Sequence, residues 1–584
     1  MKNLLFYPLL LSVILNVPLC LGGDNTPIMI KIGNEYISEW AKFYPSQAFY
    51  EGMIQSIYNY EDCSEHSIQK WIDFNKEILD KINKHESDFS TEDRIDGRLL
   101  RTQIMMEIDK WEREMPHKFS LSMYSNLISN ATSEVLDLEN LTTDEKYSIL
   151  LQRLNAIENL CAAAITNLNN GRPGSTEESL NSLEASFLYY KEELPQKIKS
   201  WMLANRQGKF IARCSETSVK IKSLIKYVQS NLIPFLTLPE EPILGKEEYS
   251  RKLKLYTDSD LTPEQLEENA LLEIETVRKL IADLSTNYLK ETYPGIEIPT
   301  DFELLVEGPI DDMRNNHPSN EQEYLELLRG FSKEAENFVR ENKIATVPEN
   351  NTLSLKLASE SMGPAARIGD LDPAPYFHPN PWTTWYLATI PDHFPENERV
   401  DFWRSFNNHF KKFIVLHELY PGHYLQLKIA RENPHTLRLL FPYGPFTEGW
   451  ATLCERVVIE AGWDNNNKLT LLAQLLKRLE NANRAYMSVQ VHCNNWTKEK
   501  MLEFSINTCL LAPQFAKSLW GRLMRSPMQM TSYFLGYRQL SELYEDEKER
   551  LGERFVTLNF MDTVLRIGAV PIDEFRDIFS KKYP

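Results

Sequence analysis

Glycine is scarce in this chain, at 22 of 584 residues or about 4%, below the usual ~7%. That shortage argues against an architecture built from many tight β-turns. Basic side chains are outnumbered, 64 against 83 acidic ones, for a net charge of −19. No run of five or more Lys/Arg occurs, so an extended phosphate-binding surface, and with it nucleic-acid binding, is excluded. Cys-x-x-Cys is absent, which removes a thiolate zinc knuckle and a thioredoxin-like site. No internal period marks a solenoid. Beyond the N-terminus there is no second long apolar stretch, so the mature chain is expected to have no membrane span.

The N-terminus itself reads as an export signal covering residues 1–22. Lys2 supplies the positive start, Leu4 to Leu21 is almost uncharged, and Gly22-Gly23 offers small residues for cleavage. Pro8 and Pro18 oppose a permanent transmembrane anchor. Cys20 raises the option of a lipid anchor, but Val17-Pro18-Leu19 lacks the small residue expected before a lipidated cysteine. The expected location is secreted or periplasmic. Removal of the signal leaves Cys63, Cys161, Cys214, Cys454, Cys493 and Cys509. Six cysteines allow 15 pairings, and isolated buried thiols are an equal alternative. Asn130, Asn140, Asn350 and Asn495 open glycosylation sequons.

Hydrophobic periodicity predicts a mainly α protein. Ile68, Trp71, Ile72, Ile78, Leu79 and Ile82 recur at helical spacing, as do Leu271, Ile274, Leu280, Ile281 and Leu284. Thr142 with Glu145, Ser175 with Glu178 and Thr262 with Gln265 have capping-box spacing. Eight prolines then fall between 345 and 396. Within that stretch Thr352–Leu357 alternates with period two, and Thr383–Ile390 is aromatic and β-branched. The expectation is a small β-hairpin beside a cleft. After 398 the helical pattern returns, with a leucine stripe at 469, 472, 475, 476 and 479. The expected organisation is a helical half over 23–344 and a catalytic half over 345–584, forming one continuous body.

The chemistry concentrates in Phe413-Ile-Val-Leu-His417-Glu418-Leu-Tyr-Pro421-Gly422-His423. Four apolar residues drive His417 and Glu418 toward a core, where ionisable groups are costly unless paired or bound to metal. Zinc peptidases use His-Glu-x-x-His on one helix face, with the Glu activating water. Here the second His is six residues on, and a regular helix would turn it ~120° away. Pro421 cannot donate to the carbonyl of His417, and Gly422 relaxes the backbone beside it. A kink there would absorb two extra residues and return His423 to His417. Glu448, in Phe446-Thr-Glu448-Gly-Trp-Ala451, is the candidate third ligand, and Glu455 lies on the same face to orient a ligand.

His417-Glu418-x-x-Pro421-Gly422-His423-x-Leu425-Gln426, with Glu448-Gly449-Trp450-Ala451, resembles the large, mostly bacterial family of domain of unknown function 885. The resemblance continues through Arg484, His492 and Trp496-Thr497, then Pro527-x-Gln529-x-x-Ser532-Tyr533-x-x-Gly536, to Ile567-Gly-Ala-Val-Pro571. It implies a large helical body similar to zinc metallopeptidases of the oligopeptidase and dicarboxypeptidase type. On that resemblance His417, His423 and Glu448 are the zinc ligands and Glu418 is the general base and proton shuttle. Tyr533 and His492 are donors to the oxyanion of a tetrahedral intermediate, and Arg484, Arg525 and Gln529 are substrate-binding or site-supporting groups. Three positions depart from the family pattern: Tyr424, Ser488 and Met528. The expected function is an exported zinc-dependent peptidase acting on small peptides. A non-catalytic binding protein, or a metal-dependent hydrolase of other amides, is the alternative. The overall acidity leads to an expectation that cationic or neutral peptides approach more readily than acidic ones.

Overall fold

The computed structural model describes residues 26–584 apart from 139–140, 351, 360–368, 379–381 and 392. The signal segment, Cys20 and the Asn140 sequon lie outside the described residues. The chain is mainly helical, as the periodicity predicts, and it forms two compact units. One runs to Glu241 and takes in Pro375–Pro379; the other holds Pro242–Ala374 and Asn380–Pro584.

The first unit is built from long helices, among them Glu65–His85, Thr91–Ile108, Thr143–Asn167 and Ala204–Tyr227. Ile68, Trp71, Ile72, Ile78 and Ile82 are buried at the predicted spacing. Thr142 and Thr262, the latter in the second unit, close the capping boxes read from the sequence. Ser175 does not. Pro173 sits at the first helical position and Arg172 is the N-cap, so the helix begins before Ser175 and Ser175 lies within its first turn.

The second unit starts at 242, so the division expected at 344–345 falls inside it. The reason lies in the packing. Ala270, Ile274, Val277 and Ile281 of helix Pro263–Thr292 share one core with Leu472, Leu475 and Leu479 of helix Lys468–Cys493. Segment 242–344 is thereby part of the core that the C-terminal helices need. Leu280, placed on the apolar face by spacing, is 41% exposed.

Both predicted extended stretches are strands, but they do not form a hairpin. β1 (Leu353–Leu357) pairs in parallel with β3 (Thr383–Leu387), and β2 (Asp370–Asp372) pairs antiparallel on the other edge of β3. The long connection between β1 and β3 permits the crossover that parallel pairing requires. The Thr352 N–H donates to the Tyr424 hydroxyl at 3.0 Å and Lys428 Nζ reaches Thr352 Oγ1 at 3.3 Å, tying the start of β1 to the helix that carries His423. All six cysteines described are free thiols, five of them buried. Asn130, Asn350 and Asn495 are exposed. Among the described residues no helix is long and apolar enough to cross a membrane.

Candidate metal centre

The helix Asn408–Glu418 begins with Asn407, whose side chain accepts from the Phe410 N–H, and ends just after the His-Glu pair. Its apolar run buries Phe413, Val415 and Leu416 and carries His417 inward with them. The helix stops at Glu418. Leu419 to Gly422 forms the break, and a second helix starts on His423 itself. Two contacts hold this break. A Cβ on Gly422 would lie 1.8 Å from the carbonyl oxygen of His417, so no larger residue fits. Trp450 Nε1 donates to the carbonyl of Pro421 at 3.0 Å, so the tryptophan after Glu448 pins the turn from the neighbouring helix.

The break brings His423 back to His417. The two Nε2 atoms lie 3.2 Å apart, with the rings edge to face. Glu448, on helix Gly444–Glu460, places Oε2 at 3.5 Å from each of them. One ligand-type atom from each of these three residues falls within 4.8 Å of the others. Both imidazoles are buried, and the Glu448 side chain is 22% exposed. Glu448 Oε2 and His423 Nδ1 are buried without a hydrogen-bond partner.

Glu455, fully buried two turns beyond Glu448, holds His417 in place. Its Oε1 lies 2.7 Å from His417 Nδ1, and Gln474 Nε2 donates to its other oxygen at 3.4 Å. With Nδ1–H directed at Glu455, the lone pair of His417 Nε2 points into the cluster. Burial by itself would lower the His417 pKa, but the carboxylates of Glu448, Glu455 and Glu418 outweigh it and raise the value to about 10. Burial would likewise raise Glu448, yet contacts with His417 and His423 hold its carboxyl well below the usual range. Glu418 is half-buried at the end of the same helix, adjacent to His417.

The helix bearing Glu448 crosses helix Pro527–Leu551 at two glycines. A Cβ on Gly449 would lie 2.2 Å from the backbone of Gly536, and one on Gly536 would lie 1.8 Å from the carbonyl oxygen of Pro445. Backbone meets backbone there, and Tyr533, one turn before Gly536, is fixed relative to Glu448. Burial first, then the charge of Glu448, raises the Tyr533 pKa, so its hydroxyl stays protonated at neutral pH. Arg484 stacks over the Tyr533 ring, its guanidinium carbon 4.5 Å from the centroid, while pairing with Glu480.

Not every candidate belongs here. His492 is fully buried with both ring nitrogens committed to backbone: Nδ1 accepts from the Leu244 N–H at 3.3 Å and Nε2 donates to the Leu523 carbonyl at 3.0 Å. Burial keeps this ring neutral. It braces helix Lys468–Cys493 and has no proton left for an oxyanion. Arg525 and Gln529 are exposed. Two neighbours of Tyr533 escaped the sequence reading. Arg522 NH2 donates to the Tyr533 hydroxyl at 3.3 Å. Tyr256 bonds Ser532 and feels both Glu448 and Tyr533. Neither carries a local motif; Arg522 arrives through packing of the preceding helix and Tyr256 through that of a distant one.

Residues 45–578 match the model of a bacterial protein family of unknown function (DUF885), and the chain belongs to that family. It is also similar to two solved structures described as candidate lipoproteins. The one from Shewanella oneidensis, of unknown function, has a TM-score of 0.83 at 20% identity, covering 95% of this chain and 100% of that one. The one from Colwellia psychrerythraea has a TM-score of 0.71 at 17% identity, covering 95% and 99%. These likenesses establish a shared fold. Among curated proteins no relative matches the chain.

Proposed function

We propose that His417, His423 and Glu448 hold zinc and that the protein is an exported metallopeptidase acting on small peptides. One observation carries the reading: the spacing of the three ligand atoms. Tetrahedral zinc with bonds of ~2.0–2.1 Å sets its ligands about 3.3 Å apart. The separations here are 3.2, 3.5 and 3.5 Å. The orphaned Glu448 Oε2 and His423 Nδ1 fit the same account, since a buried acceptor facing two imidazoles has a use when a cation sits between them.

Bound zinc would polarise a scissile carbonyl and bring a water's pKa down toward ~7. The remaining work falls to the protein's own side chains. Glu418, beside His417, takes the proton of the attacking water and hands it to the departing amine. Tyr533 accepts a hydrogen bond from Arg522 and has no protein acceptor for its own proton among the described residues. That proton is free to donate to the carbonyl oxygen as negative charge develops. Glu455 fixes the tautomer of His417, and Arg484 with Glu480 fixes the ring of Tyr533.

Export is supported by the signal-like N-terminus and by the lipoprotein descriptions of both structural relatives. The latter give Cys20 more weight as a lipidation point than its flanking residues alone do.

Metal analysis of purified protein is the test. About one zinc per chain is expected, lost in Glu448→Ala. Because imidazole and carboxylate ligands must be deprotonated to bind a metal, affinity should rise with pH. Protein that takes up no metal under any condition removes the zinc reading and leaves a binding protein. A mixed dipeptide and oligopeptide library then shows whether amide bonds are cut.

A further inference from the structure

The charges around Tyr533 run against those of the molecule as a whole. The chain is acidic at −19, yet Lys477, Arg484 and Arg522 gather about one carboxylate, Glu480. Glu480 pairs with Arg484, and Lys477 Nζ lies 3.2 Å from it. Arg522 differs from both. Among the described residues it has no carboxylate partner, and its hydrogen bond goes to a neutral acceptor, the Tyr533 hydroxyl. It is half-buried on helix Pro513–Arg525 rather than free in solvent. A guanidinium held beside a candidate oxyanion donor, near a carboxylate already paired with Arg484 and Lys477, is suited to a further carboxylate, for which its planar fork is matched.

We infer that Arg522 seats a carboxylate of the substrate, and that the preferred substrates are short peptides bearing one close to the scissile bond. This rests on the peptidase reading above and narrows it. The carboxylate is either the C-terminal one, making the enzyme act near the free C-terminus, or an Asp or Glu side chain. The local field thus opposes the expectation from net charge that cationic peptides are favoured. Beside Tyr533, on the side away from Glu448, the three cations Lys477, Arg484 and Arg522 share the single carboxylate of Glu480.

The test is equilibrium binding by calorimetry to the full mature chain, zinc-free and zinc-loaded. Three probes are used: trialanine as the free acid, trialanine amide, and the amide of alanyl-alanyl-aspartate. Tighter binding of the free acid alone, by at least tenfold over the amide, assigns the seat to the C-terminus. Equal tightening by the aspartyl amide assigns it to any nearby carboxylate. Arg522→Met should erase the preference and Arg522→Lys should keep part of it, both with unchanged zinc content and an unchanged melting curve. Equal binding of acid and amide by the unsubstituted protein, no binding of any probe, or a preference that survives Arg522→Met overturns the inference. The unsubstituted protein decides the matter even where a variant does not fold. Cleavage of the same probes separates the two claims. Cutting without carboxylate preference sinks the seat and spares the peptidase; preference in binding without cutting does the reverse.

Discussion

Two buried glutamates, one in each unit, show what distinguishes a structural carboxylate from one with chemistry left in it. Glu107 receives the Tyr44 hydroxyl at 2.6 Å and the indole N–H groups of Trp71 at 2.9 Å and Trp111 at 3.2 Å, with Gln103 on its other oxygen at 3.3 Å. Every partner is a donor, so the charge is saturated and the site is closed. Glu448 faces two imidazoles through an oxygen that accepts nothing. Three acceptor-type atoms converge there, and such a set is at rest only when a proton or a cation sits among them. Burial is common to both residues; what differs is whether the partners bring hydrogens or lone pairs. Lys411 is a third case. Its side chain is fully buried, its ammonium has no hydrogen-bond acceptor, and it lies over the ring of Tyr324 at 4.9 Å.

The largest effect that sharpens this contrast is expected from Glu418→Gln. Proton transfer by a positioned group contributes about 10²–10⁴-fold, so turnover of a cleaved peptide should fall by that order while zinc content is unchanged. Retained turnover would remove Glu418 from the mechanism.

Glu107→Ala should cost about 3 kcal/mol, because it strands several buried donors. Denaturant midpoints measure it, and metal uptake should not change. A loss of metal would break the separation drawn between the two glutamates.

Lys411→Met should stabilise the protein by about 2 kcal/mol at neutral pH, since it removes a buried unpaired ammonium at the expense of a cation–π contact. Burial lowers the Lys411 pKa from 10.5 to about 7, with Glu323 opposing. Between those values the unfolded chain binds the extra proton, so this group's contribution to stability rises with pH across that window. The gain from Lys411→Met should therefore be full below about pH 7 and fade toward 10.5. A gain that does not vary with pH would exclude the charge as its cause.

Glu455→Gln should weaken zinc binding by about 10-fold, the low end for an outer partner of a metal-bound histidine. A competition titration with a chelator reads this. An unaltered affinity would mean that the Glu455 hydrogen bond does not hold His417.

Much of the centre could be seen in the chain because its pieces are local. Pro421-Gly422 shows why two histidines six positions apart still come together, and Glu455 follows Glu448 at seven residues on one helix face. Capping by Thr142 and Thr262 is similarly a matter of four residues. What could not be seen depends on partners carried by other helices and strands. His492 is removed from the chemistry by Leu244 and Leu523. Arg522 meets Tyr533 only because two consecutive helices fold against each other. The parallel pairing of β1 with β3 depends on a crossover that alternation alone does not reveal. The break between units at 241–242 follows from which helices share a core.

The crossing of Gly449 and Gly536 has a mechanical consequence. Side chains that separate two helices act as springs, and their rotamers let the spacing breathe. Here there is no spring: main chain rests on main chain, so a metal-ligand candidate and a hydroxyl donor are mounted on one stiff joint. Temperature, a bound peptide or drift elsewhere in the sequence can move the mount as a whole, but the gap between Glu448 and Tyr533 is set by the thickness of two polypeptide backbones. Within a chain that contains so little glycine, this is a place where adding a single methyl group would change the working distance of the site.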